Sequence, residues 1–252
     1  MRLARRLLPA VLLAPFGARA VPAGYDAWLD AWEAVLSARV DEAGRVDFAG
    51  IAAAPAPREA LVRWVGAHGP RMRPDIFANR AQILAYHCNS YNAVAMWRVV
   101  QAGIPRRLDL LARYQFFLNS AITVDGGSTT LKQYEDEVIR PRGEERVHFA
   151  LNCMVRGCPR LPREAFRAER LEAQLAVVTR EFCDSPYHVR PDLAAGTVVI
   201  SEIFRFYTGD FVPVRAPSLL AYINQRRTTP LPATLLQGFF PYDWTINRHA
   251  TG

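Results

Sequence analysis

The sequence predicts an α+β fold, a single mainly helical domain with a small sheet. Segments with helical apolar periodicity outnumber strand-like ones, and the two kinds do not alternate strictly as a doubly wound sheet requires. One long helical stretch is also apolar nearly all round, as a central buried element should be. In chain order, Trp28, Trp32, Val35 and Leu36 recur at helical spacing, which predicts an amphipathic helix over Tyr25–Ala38. Asp41–Gly44 has turn chemistry, Val46-Asp47-Phe48 reads as a short extended piece, and a second helix is expected over Pro57–Ala67. The central helix is expected over Asn79–Ala102, with Asn79 as N-cap, Gly103 just past its end and Pro105 beyond.

Ala121–Val124 reads as a strand turning at Asp125-Gly126-Gly127, and Thr130–Arg140 as a helix stopped by Pro141. Val147–Leu151 is expected to be an apolar strand, and Glu164–Phe182 a long helix with Phe166, Leu171, Leu175 and Val178 on its apolar side. A strand over Thr197–Ile200, short helices near Ile203–Tyr207 and Ser218–Gln225, and an extended Phe239–Ile246 complete the reading.

The first 20 residues carry a different signal. Arg2, Arg5 and Arg6 precede an apolar stretch centred on Leu7–Leu13, and Ala18-Arg19-Ala20 has the small-x-small pattern of a cleavage site. Residues 1–20 are therefore expected to be a secretory signal peptide, with 21–252 forming the single domain and the product periplasmic or secreted. The formal charge is +7, but loss of Arg2, Arg5, Arg6 and Arg19 leaves 27 basic against 24 acidic residues, an ordinary +3. That balance gives no indication of nucleic-acid binding, and no later stretch is long and apolar enough to span a membrane. The composition is 50% hydrophobic, which suffices for one substantial core. No repeat or linker divides the chain, and the Ala-Pro segment Ala52–Pro57 reads as a loop.

The chemistry-bearing segment is Arg146-Val-His148-Phe-Ala-Leu-Asn152-Cys153-Met-Val-Arg-Gly-Cys158-Pro159. Cys153 is the candidate nucleophile, His148 its base or imidazolium partner, and Arg156 a further source of positive potential. Along a straight strand, five residues would place Cys153 and His148 roughly 16 Å apart on opposite faces. The chain must therefore leave the strand by Asn152 and turn back, a turn that Gly157 and Pro159 favour. Glu135 is the candidate to orient His148, or else it pairs with Arg140 or Arg146. Three other readings of the cysteines stay open: a Cys153–Cys158 disulfide, a zinc site with His148, or small buried hydrophobes. Asn89 and Asn92, in so apolar a helix, are expected to hold the backbone of a neighbouring loop. Tyr242 and Trp244 are read as core closure, Cys183 as structural, and His68, His188 and His249 as solvated. No cofactor fingerprint, phosphate-binding glycine loop or complete metal-ligand set is present in the sequence.

Five segments also carry a resemblance. Asn89-Ser-Tyr91-Asn92-Ala93, Leu131-Lys-Gln-Tyr-Glu135 through Arg140, and His148-Phe-Ala-Leu-Asn-Cys153 with Cys158-Pro-Arg-Leu161 resemble motifs of the domain of unknown function 547 family. So do Val199-Ile-Ser201-Glu-Ile203-Phe204 with Asp210-Phe211, and Tyr242-Asp-Trp244 with Asn247, in family order from about residue 25 to 247. The resemblance implies an α+β domain and, by analogy at the level of fold, a comparison with papain-like and transglutaminase-like enzymes. In transglutaminase-like enzymes the nucleophile opens a core helix ahead of the histidine, which is where Cys88 sits. The family usually has an aliphatic residue there, so Cys88 is taken as a buried, inert thiol.

Two functions follow as expectations. One is an exported thiol-dependent hydrolase or acyltransferase acting on an amide or peptide bond. In it Cys153 attacks, His148 shuttles the proton, Glu135 orients the ring, and N–H groups of Met154–Gly157 hold the oxyanion. The other is a non-catalytic exported domain that binds a protein or envelope component, with Cys153 and Cys158 bonded. Thiol–disulfide oxidoreduction ranks third, because the spacing is C-x4-C rather than C-x2-C. The substrate or partner and the oligomeric state are not readable from these residues.

Overall fold

A computed structural model describes residues 23–249, so the expected signal peptide lies outside the described residues. The fold is α+β. Helices α1 (Tyr25–Arg39), α2 (Phe48–Ala53) and α3 (Pro55–Ala67) gather around α4 (Arg80–Gln101). Every residue of α4 from Leu84 to Met96 is buried, which explains its lack of a polar face. Asn79 closes a reciprocal capping box with Gln82, and Gly103 takes a φ of 76° just past the helix end. Trp28 of α1 donates its indole N–H to Leu61 O of α3 at 3.0 Å, satisfying the one polar atom that its burial would strand.

After α4 come α5 (Leu110–Tyr114), which runs on into a π-helical turn over Gln115–Asn119, and the hairpin β1 (Ile122–Val124) and β2 (Gly127–Thr129). The α5 segment is absent from the sequence reading, because its apolar residues alternate with no buried stripe: Leu110, Leu111, Tyr114 and Leu118 are all exposed. Helix α6 (Leu131–Gln133) widens into a π-helical stretch, Tyr134–Ile139, and ends in a 3-10 turn at Arg140–Arg142. The expected helix is present, but Glu135 sits in its widened part, the kind of local irregularity that often marks functional positions.

The expected strand over Val147–Leu151 is instead a short helix, α7 (Val147–Ala150). The turn before it sets the conformation, since Val147, His148 and Phe149 donate their N–H groups to Glu144, Glu145 and Arg146. All four residues of α7 are buried, and a short apolar run buried on every side does not distinguish strand from helix by its pattern. Helix α8 (Leu171–Asp184) starts later than expected, because Asn89 claims both backbone groups of Phe166 and holds that residue outside the helix. The extended piece expected at Val46–Phe48 is likewise shorter, for Asp47 caps α2 by accepting from Gly50 N at 2.8 Å.

The second sheet orders β3 (Val189–Asp192), β4 (Thr197–Ser201) and β5 (Leu236–Phe240), antiparallel then parallel. Helices α9 (Glu202–Phe206), α10 (Thr208–Phe211) and α11 (Leu219–Asn224) lie between β4 and β5 in the chain. Phe149 meets Phe182, Phe204, Phe211 and Tyr222 with ring centroids 4.9 to 6.4 Å apart, joining α7 to α8, α9, α10 and α11. Among the described residues no helix is long and apolar enough to cross a membrane. His188 corrects the sequence reading: it is 6% exposed and stacks on Phe182 at 3.8 Å, whereas it was expected in solvent.

Candidate functional site

The segment after α7 is shaped by two asparagines. Asn92 donates to Ala150 O at 2.9 Å and accepts from Asn152 N at 2.7 Å, so α4 grips the chain where it leaves α7. Asn152 then accepts from Met154 N at 2.7 Å and donates to Pro159 O at 2.6 Å, tying both ends of the cysteine loop. The reversal falls at Met154, whose φ of 66° is left-handed, and Asn152 supplies the bond that holds this uncommon conformation. Gly157 matters through proximity: a Cβ there would lie 2.9 Å from ring carbons of Tyr242.

Cys153 and Cys158 form a disulfide. Of the four readings, this is the one realised, and neither sulfur is a free thiolate or metal ligand. Tyr242 lies against both sulfurs, its hydroxyl donating to Cys158 Sγ at 3.1 Å and standing 3.5 Å from Cys153 Sγ. Three of the four expected oxyanion donors, those of Met154, Arg156 and Gly157, are occupied. Met154 N–H serves Asn152, Arg156 N–H donates to Thr245 O and Gly157 N–H to Asp243 O, both at 2.8 Å. Cys88 and Cys183 are free and fully buried, and burial pushes each thiol up to about 12.

His148 donates or accepts nothing at sulfur. Its Nε2 lies 2.7 Å from Asp210 Oδ2, and its ring stacks under Tyr207 with centroids 3.9 Å apart. Asp210 also takes a two-pronged contact from Arg140, at 2.8 and 3.0 Å. The His148 hydrogen bond first, then Arg140, hold the Asp210 carboxyl well below the usual carboxylate range against the opposing effect of burial. Asp210 is thus the acceptor and His148 Nε2 the donor. Nδ1 is buried without a hydrogen-bond partner and stands 3.9 Å from Glu135 Oε1. Glu135 in turn accepts from Tyr91 at 3.4 Å. It does not pair with Arg140 or Arg146, which bind Asp136 and Asp210, and Glu144 and Glu172, respectively.

Glu135, His148 and Cys153, from three separate segments, line one cavity of about 580 Å³. Its other walls are mainly aromatic and aliphatic, with Phe117, Tyr207, Tyr242 and Trp244 among them. Tyr242 and Trp244, expected to be core closure, pack against the core and also line the cavity, with ring centroids 4.7 Å apart and their planes tilted. Among the described residues no group of three or more His, Cys, Asp or Glu side chains is placed to hold a metal ion. Asp210 is the site residue that sequence reasoning missed. Its signal was present in the Asp210-Phe211 motif, to which no role was attached.

Residues 77–183 match the family described as "Protein of unknown function, DUF547". That segment is a DUF547 domain. No curated protein and no solved structure is significantly similar to the chain. The DUF547 match contains Tyr91, Glu135, His148 and both bonded cysteines, whereas Asp210, Tyr242 and Trp244 come from the chain beyond it. The cavity is thus built jointly, with the DUF547 segment supplying its polar groups and the later chain much of its aromatic wall.

Proposed function

We propose that the chain is a binding domain whose ligand occupies the cavity beside the Cys153–Cys158 disulfide, a role suited to the exported product expected from residues 1–20. The cavity carries this reading. It is enclosed largely by apolar and aromatic side chains, with the few polar groups of His148, Glu135, Tyr91 and Lys132 converging on it, as small-molecule sites commonly are. The disulfide supports a structural role for the cysteines, as does the engagement of the loop's N–H groups by the C-terminal chain. A neutral environment-sensitive dye such as N-phenyl-1-naphthylamine tests it. Saturable fluorescence enhancement, lost in Tyr207→Trp or Ile203→Trp variants that fill the cavity, is the expected result; no saturable binding would dismiss the reading.

The shared wall of Glu135, His148 and Cys153 favours a second reading. In it, reduction of the disulfide by a dithiol frees Cys153 to attack an acyl carbonyl, forming a thioester, while His148 protonates the departing amine or alcohol and Glu135 or Asp210 orients the ring. Its analogy is with papain-like and transglutaminase-like enzymes. Iodoacetamide is expected to label no cysteine of the native protein without reduction: Cys153 and Cys158 are bonded, and Cys88 and Cys183 are buried and protonated. After reduction Cys153, the more exposed of the pair, should be labelled first, as peptide mass spectrometry would read. Ester or amide hydrolysis by Cys158→Ser that disappears in Cys153→Ser/Cys158→Ser would establish the thiol enzyme; equal rates in both would dismiss it.

A further inference from the structure

The cavity is continuous with an exposed apolar face. Leu110, Tyr114, Leu118 and Phe206 line it while remaining 76%, 51%, 53% and 48% exposed. Positions 110, 114, 117 and 118 fall on one side of α5 and its π-helical extension, with Phe117 reaching further in and Phe116 facing the core. Four large apolar side chains on the rim of one cavity are unusual for a face meant only for water.

The charges of this rim are unevenly matched. Two cations line the cavity, Lys132 and Arg113. Lys132 is paired with Asp136 at 2.6 Å, and Asp136 also receives Arg140. Arg113 has no carboxylate within ion-pair distance among the described residues. Its guanidinium lies over the Trp244 ring at 4.7 Å, and its Nε donates weakly to Asp109 O at 3.4 Å. The nearby Asp109 carboxylate is engaged in capping Ala112 N at 2.9 Å. A positioned guanidinium without a counter-ion, beside an apolar cavity with an apolar rim, is complementary to one anionic group on a long hydrocarbon body.

Building on the binding reading above, we propose that the ligand is a single-chain fatty carboxylate. Its hydrocarbon chain lies among Phe117, Tyr242, Trp244 and the rim leucines, and its carboxylate is held by Arg113. The chain supplies the apolar contact and the guanidinium fixes which end stays at the mouth.

Laurate, dodecanol and the neutral dye, titrated against the disulfide-bonded protein below micellar concentrations, test this. Laurate should displace the dye with one-to-one stoichiometry, and dodecanol should bind about tenfold or more weakly, as expected for loss of a charge-assisted contact. Arg113→Gln should weaken laurate by a similar factor, lower dodecanol and dye affinity much less, and be largely rescued in Arg113→Lys. An unchanged urea midpoint in both variants verifies that they fold as the parent does. Dye binding without laurate displacement, or equal affinity for laurate and dodecanol, would overturn the fatty-carboxylate proposal while leaving the cavity reading intact. Absence of dye binding would defeat both. Binding to anionic vesicles with no binding of monomeric laurate, or a dimer whose dissociation by Leu118→Glu exposes no laurate site, would also overturn it.

Discussion

Acidification from about pH 7.5 to about pH 5 is expected to destabilise the fold by about 4 kcal/mol, with two buried histidines responsible. His87 is 2% exposed, shares a hydrogen bond of 2.8 Å between Nδ1 and the Tyr134 hydroxyl, and has no partner for Nε2. His188 is 6% exposed and lies flat on Phe182. Burial, aided by Arg142 near His87 and Arg190 near His188, holds each imidazole down to about 3. The unfolded chain takes up protons as pH falls through about 6.5, while the folded chain does not until near 3. Stability is therefore full above the unfolded value and drains away below it, by about 2 kcal/mol per histidine at pH 5. Asp210 adds nothing in this window. Its depressed carboxyl contributes fully above the ordinary carboxylate value and loses that contribution only as the pH falls below it. Urea midpoints across this range should fall steeply for the parent and remain much flatter for His87→Gln/His188→Leu. An unchanged slope in the double variant would show that the acid sensitivity lies elsewhere.

Replacing Asn92 by Ala should cost about 3 kcal/mol, because it leaves two buried backbone groups, Ala150 O and Asn152 N, without partners. Asn92→Leu should be no milder, since an apolar side chain of any size leaves the same two groups stranded. The damage should travel. Asn152 fixes Met154 and Pro159, so loosening its backbone loosens the loop that carries the disulfide. Denaturant titration gives the stability, and the rate of Cys153–Cys158 reduction by dithiothreitol should rise in the variant. A loss below about 1 kcal/mol with an unchanged reduction rate would mean that the loop is held by the Tyr242 and Thr245 contacts instead.

These two residues also show where the sequence was legible. Asn92 was readable because an amide in a helix with no polar face must spend its hydrogen bonds on something buried. The same reasoning located α4 and its caps. His188 was misread because its burial arises from the Phe182 ring of another element, which local pattern does not report. His148 was read as the partner of Cys153, whereas its nearest polar partner is Asp210, which lies 62 residues away and joins it only when α10 packs on α7. The α7 error has a similar origin: Val147–Ala150 owes its helix to the preceding turn, and its apolar run carries no period. Glu135 was named as a candidate to orient His148, but the π-helical widening that brings it near Nδ1 leaves no mark in a residue pattern.

The C-terminal stretch has a temporal consequence. Trp244 O accepts from Leu108 N, Ile246 pairs with Val155, and Asn247 bonds both Met154 and the loop at Gly44, a reach of 203 residues. On a growing chain, Cys153 and Cys158 are close in sequence and can meet early, whereas Tyr242 and Trp244 are synthesised almost ninety positions later. The disulfide can thus precede the chamber it will border. Closure of that chamber waits on these late, long-range contacts, so the ability to hold a ligand should be among the last properties acquired during folding.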